Sequence, residues 1–230
     1  MKKSNLVVFI CALFLFQSCQ SQSLDFEKLV LPVKQTELKQ LGLVSSGAGV
    51  GTQEVQYTNY SSDAVDAGKI AISFGGIKIE TDNNSDDYTS GPLRMYGKNN
   101  GDSFEGYQLN ISKPANFSEV LSYFLNKKDK FKLAFDNGKD TGERARVFIS
   151  DQNKTTYLVL SRSNGNGEKK GYIDAISSEE TPLLTSRLGG AFGYYAEYLE
   201  YRKHKSANFT YQDFLKELDN EIYNENNNLK

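Results

Sequence analysis

The side chains best suited to chemistry in this 230-residue sequence are few, and their spacing excludes more than it offers. The single histidine, His204, sits in the basic run Tyr201-Arg202-Lys203-His204-Lys205, which reads as the close of a helix, where cations meet the negative end of the backbone dipole. A Ser-His-Asp or Cys-His mechanism would have to use it, and no G-x-S-x-G turn occurs to present a nucleophile. Zinc sites draw most ligands from His and Cys, so one histidine without a cysteine partner does not make one. Asp82, Asn84 and Asp86 alternate as calcium ligands do, but an EF-hand needs Gly and Glu where Asp87 and Leu93 stand. The carboxylates Glu179-Glu180 and Asp136/Asp140 are available for acid/base work and fall in predicted turns, where acidic residues are ordinary. Neither Gly47–Gly51 nor Gly165–Gly171 has the spacing of a phosphate-binding loop. The expectation is a non-enzymatic protein without a metal or cofactor.

Cys19 is different. Met1, Lys2 and Lys3 give a positive start, and Leu6 to Phe16 is an uncharged apolar run of about 11 residues, the layout of a secretory signal. A helix needs roughly 20 apolar residues to cross a bilayer, so the run is too short for a span. Phe16-Gln17-Ser18-Cys19 then resembles the lipobox of bacterial lipoproteins, with Phe16 where leucine is usual and Gln17 where a small residue is usual. The resemblance covers only the first 19 residues; it implies cleavage before Cys19, lipidation of its thiol, and attachment to a membrane of the bacterial cell envelope. Cys11 would leave with the signal, so Cys19 would be the sole remaining thiol, with no disulfide to form. Stable anchoring takes more than one acyl chain, and such lipoproteins typically carry several.

Loss of Lys2 and Lys3 changes the formal charge from −2 to −4, and a mildly acidic chain has no electrostatic reason to bind nucleic acid. Tyr194, Tyr198 and Tyr201 form a stripe beside the Leu184, Leu188, Phe192, Tyr195 and Leu199 stripe of a predicted long helix. Tyrosine joins apolar area to a polar tip and is enriched at interfaces, so these three are the candidate interaction surface. Packing at the edge of the domain's own core is the alternative. Gly189 and Gly193 lie on another side, where a neighbouring element could approach closely.

The elements that would carry these residues are legible in the patterning. Gln20-Ser21-Gln22-Ser23 reads as a polar tether, Thr36–Leu43 as a short helix, and Ser45–Gly51 as a joint. Ile70, Ile72 and Phe74, then Gly75-Gly76, then Ile77 and Ile79, spell a hairpin. Leu93, Met95, Tyr107, Leu109 and Ile111 predict two further strands. Asn116 with Glu119 three residues later is a capping-box pattern, and Phe117, Val120, Leu121, Phe124 and Leu125 recur at helical spacing. Runs at 131–135, 146–150, 156–161 and 172–176 are strand-like and are separated by residues that tolerate tight turns, the pattern of an antiparallel meander. Thr210 with Asp213 caps a final helix, stapled by Phe209 and Phe214.

The fold expected is therefore α+β: antiparallel sheets of short strands, a covering helix at 116–127 and a C-terminal helical pair at 184–223. Residues 1–18 read as signal, 19–52 as lipidated cysteine, tether and joint, 53–223 as the domain, with a division into two subdomains near 112 as an option, and 224–230 as a polar tail. The leading functional expectation is a membrane-anchored envelope lipoprotein that binds a protein partner, either as a surface-complex component or as a toxin-immunity-like factor. The alternative is a carbohydrate-binding or carbohydrate-cleaving lipoprotein working through Asp, Glu and Tyr.

Overall fold

In the computed structural model, the described residues are 23–43, 57–61, 65, 69–80, 91–98, 102–138, 142–163, 169–177 and 182–228. The signal segment, Cys19, the Asp82–Asp86 loop, Asp140, Glu179-Glu180 and the glycine runs at 47–51 and 165–167 lie outside them.

Eight strands form one antiparallel sheet: β2 (Val33–Lys34), β3 (Tyr57–Ser61), β6 (Leu93–Lys98), β7 (Ser103–Ile111), β8 (Lys132–Asp136), β9 (Glu143–Ser150), β10 (Thr155–Ser163) and β11 (Lys169–Ser177). The order is β3-β6-β7-β11-β10-β9-β8, and β2 pairs with the start of β7, beyond the point where β11 ends. The meander over β8 to β11 is as the strand-like runs and their turn residues predict. Pairing of β7 with β11 joins strands from both sides of residue 112 in one sheet. A smaller sheet has the order β1-β4-β5, with β1 (Ser23–Asp25) parallel to β4 (Ala71–Phe74) and β5 (Ile77–Lys78) closing the predicted hairpin. Gly75 and Gly76 take φ of 61° and 81°, the left-handed conformation a two-residue hairpin turn requires.

One correction concerns where the folded body begins. Residues 23–43, expected as tether and joint, belong to it: Phe26 and Leu38 are fully buried, the latter in the short helix α1 (Gln35–Gln40). The polar residues between their apolar positions obscured this, because each buried residue comes from a piece too short to show a period.

Because both faces of the large sheet are covered, alternate side chains feed two cores. On one face Leu93, Met95, Tyr107, Leu109, Phe148, Tyr157 and Ile173 meet the small sheet and helix α2 (Pro114–Asn126). Helix α2 buries Phe117, Val120 and Phe124, each worth about 1.5–3 kcal/mol of burial. Phe124 also stacks between Phe74 and Phe148, with ring centroids 4.9 Å from each. Asn116 does not cap this helix as predicted. Lys113 is the N-cap, Pro114 opens the first turn, and the Asn116 side chain instead accepts from Glu80 N–H at 3.0 Å and donates to Lys78 carbonyl at 2.8 Å. The amide therefore fastens α2 to the end of the small sheet.

On the opposite face Ala145, Val147, Leu158, Leu160 and Ile176 meet α3 (Pro182–Arg187), a 3-10 turn (Gly190–Phe192), α4 (Gly193–Arg202) and α5 (Tyr211–Asn228). The predicted long helix is broken: Gly190 at φ 60° interrupts it, and Leu188 and Phe192 nevertheless stay in the core. A Cβ at Gly189 or Gly193 would meet nothing within 4 Å, so neither glycine serves a close approach. Thr210 and Asp213 form the predicted reciprocal cap of α5, with Asp213 N–H donating to Thr210 Oγ1 at 3.2 Å and Thr210 N–H to Asp213 Oδ2 at 3.0 Å. Helical backbone continues to Asn228, through most of the expected polar tail.

Candidate functional site

Among the described residues, the most deeply placed cluster of chemistry-bearing side chains is centred on Asp174. Strands β6, β7 and β11 are neighbours, and their register puts Gln108 directly opposite Asp174. The Asp174 carboxylate, 1% exposed, accepts on Oδ1 from the Tyr96 hydroxyl at 2.7 Å and from Gln108 Nε2 at 2.9 Å. Its Oδ2 accepts from Arg187 Nε at 3.0 Å and Nη2 at 2.8 Å. Arg187 ends α3 and lies over the Tyr96 ring, 5.3 Å from its centroid. Burial pushes the Asp174 carboxyl up, and Arg187, Tyr96 and Gln108 offset part of that rise. A carboxylate has about four acceptor positions, and here four donors occupy them. Asp174 is thus committed to holding α3 on the sheet and has no lone pair to offer a substrate.

A second cluster joins the amino-terminal segment to α2. Glu27, 8% exposed at its side chain, accepts from Lys130 Nζ at 2.8 Å and from the Tyr123 hydroxyl at 2.9 Å, while Asn153 Nδ2 donates to its backbone carbonyl at 2.9 Å. The hydrogen bond to Glu27 raises the Lys130 ammonium above its usual range, and Tyr123 adds to the rise. The third cluster is Asp136, whose carboxylate accepts from Arg144 Nε and Nη2 at 2.9 and 2.8 Å, from Arg146 Nε at 2.9 Å and from Gly138 N–H at 3.0 Å. Burial pushes this carboxyl up, but Arg144, Gly138 and Arg146 outweigh it and hold it below its ordinary value. Of the Asp136/Asp140 pair, Asp136 is accordingly an internal ion-pair acceptor between β8 and β9.

The tyrosines predicted as one surface stripe lie on one side of α4, but that side faces α5 rather than open solvent. Tyr198 is 5% exposed, donates to Phe209 carbonyl at 2.9 Å and packs against Tyr195, Tyr211 and Phe214. Tyr201 is half-buried; it donates to Glu217 Oε2 at 2.6 Å, with Lys205 Nζ 4.6 Å over its ring. Tyr194 alone of the three stands out, 60% exposed. All three stand beyond the break at Gly190, so their spacing on α4 is as counted; α5 covers Tyr198 and Tyr201 and leaves Tyr194, at the start of the helix, open. With its ring enclosed, Tyr198 is not a platform for a sugar. His204 is exposed in the turn after α4, where its N–H donates to Tyr201 carbonyl at 3.3 Å.

The sequence reading missed the Asp174, Glu27 and Asp136 clusters because their members come from separate elements, up to 126 residues apart for Glu27 and Asn153. The one available signal was a charged or amide residue inside an otherwise apolar strand, as at Gln108 and Asp174. Among the described residues, no three His, Cys, Asp or Glu side chains gather as metal donors, and no helix is long and apolar enough to cross a membrane. No protein-family model matches the chain, and neither a curated protein nor a solved structure is similar to it.

Proposed function

We propose that the chain is a bacterial envelope lipoprotein, processed before Cys19, lipidated on that thiol, and acting by binding a protein partner rather than by catalysis. The observation that carries this reading is the uncharged apolar run ended by Phe16-Gln17-Ser18 and followed at once by a cysteine that processing would leave without a disulfide partner. The non-catalytic part is supported by Asp174, Glu27 and Asp136, each engaged by its own arginine, lysine or tyrosine neighbours. Tyr194 is the exposed aromatic on the α4 layer and the candidate contact there.

The experiment is metabolic labelling with a clickable palmitate in the native cells. Label should enter the wild-type protein and be absent from Cys19→Ala, with the wild type recovered in the membrane fraction. Equal labelling of both proteins, or of neither, overturns the anchor. Capture of the tethered protein from its own membranes then names the partner, and Tyr194→Glu should abolish that capture while leaving the acylation unchanged.

A further inference from the structure

We infer that the body rests on the lipid surface by the end at which β1 begins, with Leu41 and Ile70 at the interface and Lys39 and Lys69 toward the headgroup phosphates. This rests on acylation of Cys19. Four residue steps separate Cys19 from Ser23, the first residue of β1, and a fully extended chain covers about 14 Å in that distance. The anchor therefore holds Ser23 within a short reach of the bilayer, and whatever surrounds Ser23 must meet the headgroups.

The surroundings of Ser23 follow from register. It pairs with Ala71 in the parallel β1/β4 ladder, so the chain enters the body beside Lys69 and Ile70. Ile70 Cδ1 in turn lies against Gly42, 3.3 Å from where a Cβ would stand on that residue. Gly42 N–H donates to Lys39 carbonyl at 3.0 Å, which draws the end of α1 into the same patch. Leu41, next to Gly42, is 37% exposed, one of few large apolar side chains that stand out among the described residues. Lys39 and Lys69 are exposed beside it, with Glu37 the acidic residue of α1. An apolar side chain flanked by lysines suits an anionic lipid surface, where the stems lie along the apolar region and the ammonium groups reach phosphate. Tyr194 stands on α4, on the other face of the large sheet, with that sheet and the first core between it and β1.

Accessibility of single labels tests this. After processing and acylation the mature protein has no free thiol, so Leu41→Cys, Lys39→Cys and Tyr194→Cys each place one nitroxide on the full-length lipoprotein in phosphatidylglycerol/phosphatidylethanolamine vesicles. The labels at 41 and 39 should lose collisions with a water-soluble nickel complex and gain them with oxygen, while the label at 194 keeps its aqueous exposure. Lys39 is exposed, so its variant still folds if Leu41→Cys does not. Mass measurement of the same samples reports acylation separately. Acyl chains on Cys19 with equal aqueous access at 39, 41 and 194 overturn this orientation alone; an unmodified Cys19 overturns the anchor and this inference with it.

Discussion

Replacing Asp174 by alanine should be among the most damaging single changes in the protein. The substitution removes an acceptor from four donors at once, and two of their owners, Tyr96 and Gln108, are 2% and 5% exposed and cannot turn to water. Arg187, 31% exposed at its side chain, would recover part of its hydration. Breaking a buried ion pair from one side costs about 3–5 kcal/mol, and each buried donor left unsatisfied costs about 1–3 kcal/mol. These costs overlap and Arg187 is partly rehydrated, so the loss falls below their simple sum, about 4 kcal/mol against a total stability of about 5–15 kcal/mol. With a urea slope of about 2 kcal/mol per molar, the unfolding midpoint falls by about 2 M. The measurement is urea unfolding of the protein lacking residues 1–19, followed by circular dichroism. Arg187→Met should cost far less in the Asp174→Ala background than alone, with a coupling of about 1–3 kcal/mol. A loss below about 1 kcal/mol for Asp174→Ala, or strict additivity in the cycle, would refute the view that this cluster fastens α3 to the sheet.

Three further outcomes are expected. Tyr198→Ala should lose about 3–5 kcal/mol in the same unfolding assay, whereas Tyr194→Ala should stay within about 0.5 kcal/mol, and similar losses at both would contradict their different burial. Gly75→Ala should destabilise more than Gly76→Ala by thermal unfolding: both carry the left-handed penalty of about 1–2 kcal/mol, but only at Gly75 does a Cβ run into the Tyr123 ring. Asp136 has a native-state pKa below its ordinary 3.8, so its contribution is present above that value and lost as pH falls through the lowered native one. The stability difference between wild type and Asp136→Asn should accordingly shrink below about pH 4, and a difference that grows with acid would reverse the assignment.

How much of this was readable beforehand depended on whether the determining interaction was local. The Gly75-Gly76 hairpin and the Thr210/Asp213 cap are decided within a few residues, and both form as their sequences dictate. The strands β8 to β11 show as short, largely apolar runs between turn residues because both faces of the sheet are covered. In contrast, the step between Tyr96–Gly106 and Gly97–Phe104 leaves Glu105 as an extra residue on β7, so Phe104 joins Tyr107 and Leu109 on one face against strict alternation. Glu105 then reaches the other side and accepts the Tyr57 hydroxyl. A bulge of this kind depends on the partner strand and has no signature in the run of residues itself. The same holds for Asn116, whose amide could cap a helix on its own but finds a carbonyl and an N–H of the small sheet instead.

The strand order also dictates a timetable for assembly. Strand β7 is flanked by β6, next to it in sequence, and by β11, which is synthesised about 60 residues later, while the earliest segments, β1 and β2, wait for β4 and β7. A chain halfway through synthesis therefore has its central strand, β7, bare along the edge that β11 later covers. Non-local closure of this kind is slow. The large sheet therefore closes only once β11 has arrived.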